Sequence, residues 1–199
     1  GFANFELSIA LDAGGHSSMP PSQTAIGMLA NAVAELSNEP FPARIDGATR
    51  GLLEYAGPEM EFFHRVLFAN LWATKGVIKN SLAKDATSAA LIRTTTAPTI
   101  FNSGIKDNVL PSQASATVNF RILPGESVAT VQARIVKLID NPAINVNVDE
   151  QFSSNPSAVS STTSFGFRVL QKTLQETYPE TVIAPGLVIA ATDARSYAP

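Results

Sequence analysis

Residues 4–12 alternate without a break, with Phe5, Leu7, Ile9 and Leu11 pointing one way and Asn4, Glu6, Ser8 and Asp12 the other. A period of two is the repeat of an extended chain, so this segment predicts a strand with one dry face and one wet face. From Ser22, a candidate N-cap, the repeat changes to Ile26, Leu29, Val33 and Leu36, one stripe of a helix that Ser37-Asn38-Glu39-Pro40 brings to an end. Alternation returns over 115–122, where Ala116, Val118, Phe120 and Ile122 oppose Ser115, Thr117, Asn119 and Arg121, which puts Arg121 on the polar face. After Pro124-Gly125, the spacing of Val128, Val131, Ile135 and Leu138 predicts a second amphipathic helix, and Ile144, Val146 and Val148 a final strand. The Thr-rich run 93–102 supplies one more strand.

The resulting order, β-α-β-β-α-β, predicts an α+β fold of ferredoxin-like type: a four-stranded antiparallel sheet with two helices over its apolar face. Residues 41–92 interrupt that order as a helical insertion. Within it, 58–72 reads as one helix that is apolar nearly all round, with Phe62, Phe63, Val66, Leu67, Phe68, Leu71 and Trp72. A helix without a polar face is expected to be buried against its own domain, a second subunit or the rest of the protein. Binding to a lipid surface is disfavoured, because the basic residues form no consistent opposing face. From Ser153 the chain turns polar and reads as a linker, so it divides into 1–152 and 153–199. A helix over 164–178 follows, and then the apolar run 182–191. That run is expected to be a buried parallel strand, part of an α/β domain whose other strands this chain lacks.

The 199 residues are 45% hydrophobic and 16% charged, enough for a domain or two with a buried core. A formal net charge of -3 gives no basic footprint for nucleic acid, and no apolar run reaches the ~18 residues of a membrane span. With no cysteine, thiolate metal sites, disulfides and a cysteine nucleophile are excluded, and the compartment stays undetermined. The opening Gly1–Glu6 has no signal-peptide character. A start without Met and an end just after an apolar run lead us to expect a piece of a longer protein.

Candidate chemistry is concentrated in two stretches. In Gly14-Gly15-His16-Ser17-Ser18-Met19-Pro20-Pro21, glycines before the imidazole and prolines after it mount one side chain on a rigid turn. The residues alone leave open whether His16 stabilises its own loop or acts on something outside it. The other stretch is Asn108-Val109-Leu110-Pro111-Ser112-Gln113, leading on to Phe120-Arg121-Ile122-Leu123-Pro124-Gly125-Glu126. No G-x-S-x-G elbow marks Ser17 or Ser18 as a nucleophile. His64 is read as packing within the aromatic helix, and Asp149-Glu150 as a solvated strand end.

Together the two stretches resemble the lid, or dimerisation, domain of the dizinc exopeptidases and amidohydrolases that include carboxypeptidase S, glutamate carboxypeptidase, aminoacylase and succinyl-diaminopimelate desuccinylase. The insertion and the runs Leu91–Thr96 and Ile100–Gly104 look most like the carboxypeptidase S and N-fatty-acyl-amino-acid hydrolase branch. The resemblance implies that His16, commonly from a partner subunit's lid, hydrogen-bonds the scissile carbonyl oxygen, that Asn108 assists substrate binding, and that Arg121 clamps the substrate carboxylate. Thr192-Asp193-Ala194-Arg195-Ser196-Tyr197 resembles a catalytic-domain element whose arginine, here Arg195, holds the same carboxylate, although Ala190-Ala191 stand where relatives often carry glycines. The parent protein is then expected to be a homodimer with two zinc ions that hydrolyses a small N-acyl amino acid or peptide. No metal ligand is assigned in this chain, which alone is expected to be inactive. The competing reading is a non-catalytic ferredoxin-like interaction module with the aromatic helix as its interface.

Overall fold

The structure is a computed structural model that describes residues 1–190. It separates into two compact units, one of residues 1–41 with 94–156, the other of residues 42–93 with the segment from Ser157 onward. The units interleave along the chain, whereas the sequence reading divides it once, at 152/153.

The first unit is the predicted α+β sheet. Strands β1 (Phe2–Ala10), β3 (Thr95–Ser103), β5 (Gln113–Arg121) and β6 (Ile144–Val148) lie in the order β3-β5-β1-β6, every pair antiparallel. The alternation in the sequence is realised as written: Ala3, Phe5, Leu7 and Ile9 of β1 and Ala114, Ala116, Val118 and Phe120 of β5 are buried. The buried face is covered by α1 (Ala25–Asn38) and α6 (Val128–Ile139), which contribute Leu29, Leu36, Val131 and Ile135 to the same core. Phe5 and Phe120 meet edge to face at 5.5 Å, with Phe41 at 6.0 Å from Phe120. Burying each such ring or branched side chain is worth about 1.5–3 kcal/mol, so this face accounts for much of the unit's stability. On the wet face the cross-strand partners Asn4 and Asn119 join directly, Asn119 Nδ2 donating to Asn4 Oδ1 at 2.7 Å.

Several boundaries differ from the sequence reading for local reasons. Thr24, not Ser22, caps α1, its Oγ1 accepting from Gly27 N at 3.1 Å from an extended backbone. Strand β3 begins at Thr95 because Thr94 turns inward, 1% exposed, where its hydroxyl donates to a Glu126 carboxylate oxygen and accepts from Leu123 N at 3.0 Å. Its register slips between Pro98 and Ile100, as a proline without an N–H requires on an edge strand. The expected linker is pinned at its start: Phe2 N donates to Ser154 O at 3.0 Å and Ser154 N to Phe2 O at 2.8 Å.

The second unit is helical, with α2 (Gly47–Ala56), α3 (Phe62–Ala69), α4 (Leu71–Leu82), α5 (Ala86–Ala90) and α7 (Phe165–Thr177). The single helix expected over 58–72 is instead a 3-10 turn at Gly57–Glu59, then α3, then the start of α4, broken at Asn70. Asn70 leaves helical angles and turns its Nδ2 back onto Val66 O at 2.8 Å. Within this chain the segment is buried along one stripe only. Leu67, Phe68 and Leu71 pack on the buried Ile45, Ile78 and Ile92, but Phe62 and Trp72 stay 79% and 87% exposed. A three-isoleucine core has room for one stripe of the segment and not for the whole circumference. The helix expected over 164–178 is α7, capped by Ser164, whose Oγ accepts from Phe167 N at 3.2 Å, and its Phe167 meets Tyr55 edge to face at 6.0 Å. Residues 182–190 form no strand, correcting that expectation, since a parallel strand needs neighbours that the described residues do not supply.

Candidate functional site

The site grows out of the two central strands. Where β1 and β5 stop pairing, at Ala10 opposite Gln113, Leu11 N still donates to Ser112 O at 2.8 Å. Beyond that, β2 (Gly15–His16) pairs antiparallel with β4 (Val109–Leu110), Gly15 opposite Leu110 and His16 opposite Val109. Position 14 must be glycine for this ladder to close: a Cβ there would stand 2.3 Å from Leu110 O. Past the ladder, Ser17 N donates to Asn108 O at 3.1 Å, so backbone pairing sets Asn108 against Ser17, one residue along from His16, across more than ninety residues of chain.

The turn that follows orients the ring. Met19 N donates to His16 O at 3.1 Å, closing the chain over Ser17 and Ser18 ahead of Pro20-Pro21. Ser18 N donates to His16 Nδ1 at 3.2 Å, and Ser18 Oγ lies 2.9 Å from the same nitrogen. A neutral imidazole that accepts at Nδ1 carries its proton on Nε2. The ring therefore presents an N–H on the side away from Ser18. Both His16 and Asn108 are exposed. Sequence reasoning missed Ser18. Its signal was the serine two residues after a turn histidine, within bonding reach of the ring.

Arg121 is not part of this cluster. It ends β5 opposite Phe2 and Thr95, exposed, with its guanidinium carbon 6.0 Å from the Phe2 ring centroid. The eight residue steps of β5 from Gln113 to Arg121 span about 27 Å at ~3.4 Å per step. His16 and Asn108 thus lie beyond the Gln113 end of β5, in the two-stranded sheet, and Arg121 at its other end. The turn after Arg121 is fixed by Thr94, which holds Leu123 N and Glu126 together.

Arg195 lies outside the described residues. His64 is exposed on α3 against the rings of Phe63 and Phe68, at 6.1 and 6.2 Å between centroids. Asp149 caps a 3-10 turn, its Oδ1 accepting from Gln151 N at 3.2 Å and Phe152 N at 3.3 Å. Among the described residues no three His, Asp or Glu side chains gather where they could hold a metal ion. No helix among them is long and apolar enough to cross a membrane.

A family model described as the peptidase dimerisation domain matches residues 1–147. Over 197 residues the chain is 42% identical to the probable carboxypeptidase S-like 2 of Dictyostelium discoideum, covering 99% of this chain and 37% of that protein. It is 35% identical over 199 residues to the Homo sapiens N-fatty-acyl-amino acid synthase/hydrolase PM20D1, covering 99% of this chain and 39% of that protein. The chain thus spans under two-fifths of the length of these curated relatives. Among solved structures, an M20 family metallo-carboxypeptidase from Sulfolobus solfataricus shares the fold with a TM-score of 0.57 at 18% identity, covering 96% of this chain and 52% of that one.

Proposed function

Because the chain belongs to the peptidase dimerisation-domain family, we propose that it is the lid of a zinc-dependent amide hydrolase that releases a free amino acid from a peptide or N-acyl amino acid. The observation that carries this reading is the β2–β4 ladder with its turn, which holds an exposed imidazole by its Nδ1 edge one residue along from Asn108's backbone partner Ser17. Dimerisation alone has no use for such an imidazole. In the proposed role, His16 donates from Nε2 to the scissile carbonyl oxygen. That bond strengthens as negative charge develops on the oxygen, so it favours the transition state over the bound substrate. Asn108 binds the amide end from the same ladder, while Arg121 and Arg195 take the carboxylate in charge-assisted, bidentate geometry. The two zinc ions that the reading assigns to the parent protein do not fit any cluster of the described residues, and their ligands belong to other parts of it.

The distance along β5 adds a requirement. The carbonyl and the carboxylate of an amide-linked amino acid are only a few bonds apart, far less than the span from His16 to Arg121. One lid therefore supplies either the His16 end or the Arg121 end of a given site, and a second copy supplies the other. A homodimer through the β3 edge meets this requirement. Its outer residues, including Ile100 and Phe101, are exposed, α1 packs beside it, and an edge strand has open N–H and C=O groups to pair.

The test is complementation in the full-length enzyme. His16→Ala is expected to lower kcat by about 10²–10³ and Arg121→Ala to raise KM chiefly. Co-refolded in equal amounts and assayed well below KM, the two variants are expected to recover roughly a quarter of wild-type activity, since half of the dimers hold one intact composite site. No recovery from well-folded mixed dimers would overturn the shared site, and unchanged kinetics in both single variants would overturn the lid reading itself.

A further inference from the structure

We infer that Ser18 is a positioning residue that keeps the His16 Nε2–H directed outward whether the ring is neutral or protonated. Two atoms of Ser18 reach one ring nitrogen: its backbone nitrogen at 3.2 Å and its hydroxyl oxygen at 2.9 Å from Nδ1. They have complementary capacities. When Nδ1 carries a lone pair, the Ser18 N–H donates to it, which favours the tautomer with its hydrogen on Nε2. When Nδ1 carries a proton, that N–H cannot serve it, but the hydroxyl oxygen can accept from it. In both states Nδ1 stays engaged and Nε2 carries a hydrogen on the opposite side of the ring.

The mounting under this pair is stiff. The backbone of His16 is held by the ladder to Val109, its carbonyl by Met19 N, and the next two residues after Met19 are prolines with fixed φ. Alanine at position 18 would keep the N–H and lose the acceptor for the protonated ring. Threonine would keep both. The hydroxyl therefore has a distinct task, to stop the ring swinging away on protonation.

The structural part of this inference stands on the loop geometry, and its effect on catalysis rests on the function proposed above. The test uses long-range ¹H–¹⁵N correlation and nuclear Overhauser spectra of the 199-residue chain, with the exposed His64 as the internal reference. In the wild type, His16 is expected to hold the Nε2–H tautomer more completely than His64, and its ring-to-Ser18 cross-peaks should survive acidification. In Ser18→Ala the neutral tautomer should persist while those cross-peaks vanish once the ring is protonated, and Ser18→Thr should restore them. An Nδ1–H tautomer in the wild type, or cross-peaks in Ser18→Ala that survive acidification, would overturn the inference. Ser18 is exposed and adds nothing to the core, so the variants should remain folded. In the full-length enzyme, Ser18→Ala is expected to leave kcat unchanged where the ring is neutral and to lower it on the order of fivefold, with KM held, on the acid side of the pH profile where the ring is protonated, about the worth of one hydrogen bond. Spectra as expected with kcat unchanged on the acid side as well would leave the positioning intact and instead refute His16 as the carbonyl donor.

Discussion

The sheet unit and the helical unit carry apolar residues in comparable density but dispose of them differently. In the first, every strand has a partner in the same chain, and Phe5, Leu7, Val118 and Phe120 are fully buried. In the second, three isoleucines form the buried centre, while Phe62, Phe63, Val66 and Trp72 face outward. The lesson concerns partners rather than hydrophobicity. An apolar pattern is closed when its complement lies within the same unit; otherwise it leaves surface uncovered.

The largest effect that should separate the units is on stability. Phe120→Ala is expected to cost about 3–5 kcal/mol, as a buried aromatic truncated against Phe5 and Phe41, whereas Trp72→Ala should stay within about 0.5 kcal/mol. Urea unfolding followed for both variants checks this, and equal losses would erase the contrast. Of middle size is Thr94→Val, which leaves Leu123 N without its acceptor and is expected to cost about 1–3 kcal/mol. Amide exchange should quicken at 122–126 and leave α3 and α4 unchanged, which confines the damage to the sheet unit.

The smallest effect belongs to the helical unit. Asp85 caps α5, and its carboxyl is held below its ordinary value first by the backbone N–H of Ser88 and then by the Ser88 hydroxyl. The folded-state value is the lower one, so the cap's contribution is complete above the ordinary carboxylate range. It is lost as pH falls through that lowered value. Asp85→Asn should flatten this acid limb in a pH series of thermal unfolding without moving the sheet unit.

The strands and the two covering helices were legible because each pattern had a local cause: alternation on the strands, a 3.6-residue stripe on α1 and α6, Pro124-Gly125 ahead of the second helix. The resemblance carried by the His16, Asn108 and Arg121 stretches agrees with the family match. What the pattern could not reveal depended on distant chain. The pairing of His16 with Val109 joins residues that share no local signal, and the span between His16 and Arg121 emerges only when β5 is laid out along its length. The run 182–191 reads as a strand because apolar runs do, but pairing decides strands, and none of the described residues pairs with 182–190. The break at Asn70 was missed because a continuous apolar run masked a side chain able to compete for backbone carbonyls.

The ladder that carries His16 lies beyond the pairing of β1 with β5 in a separate two-stranded sheet, and its register is offset by two residues, with Asp12–Gly14 on one strand set against Pro111 on the other. A slip of one residue between β1 and β5 would turn Phe5 and Leu7 outward, whereas the seat of His16 depends on its own pairing with Val109 and on the close approach at Gly14. The large penalty for misplacing the core rings therefore guards the sheet and leaves the imidazole to the short ladder beside it. Disturbing that ladder alone, as with Gly14→Ala, should yield molecules that fold and survive purification with His16 displaced.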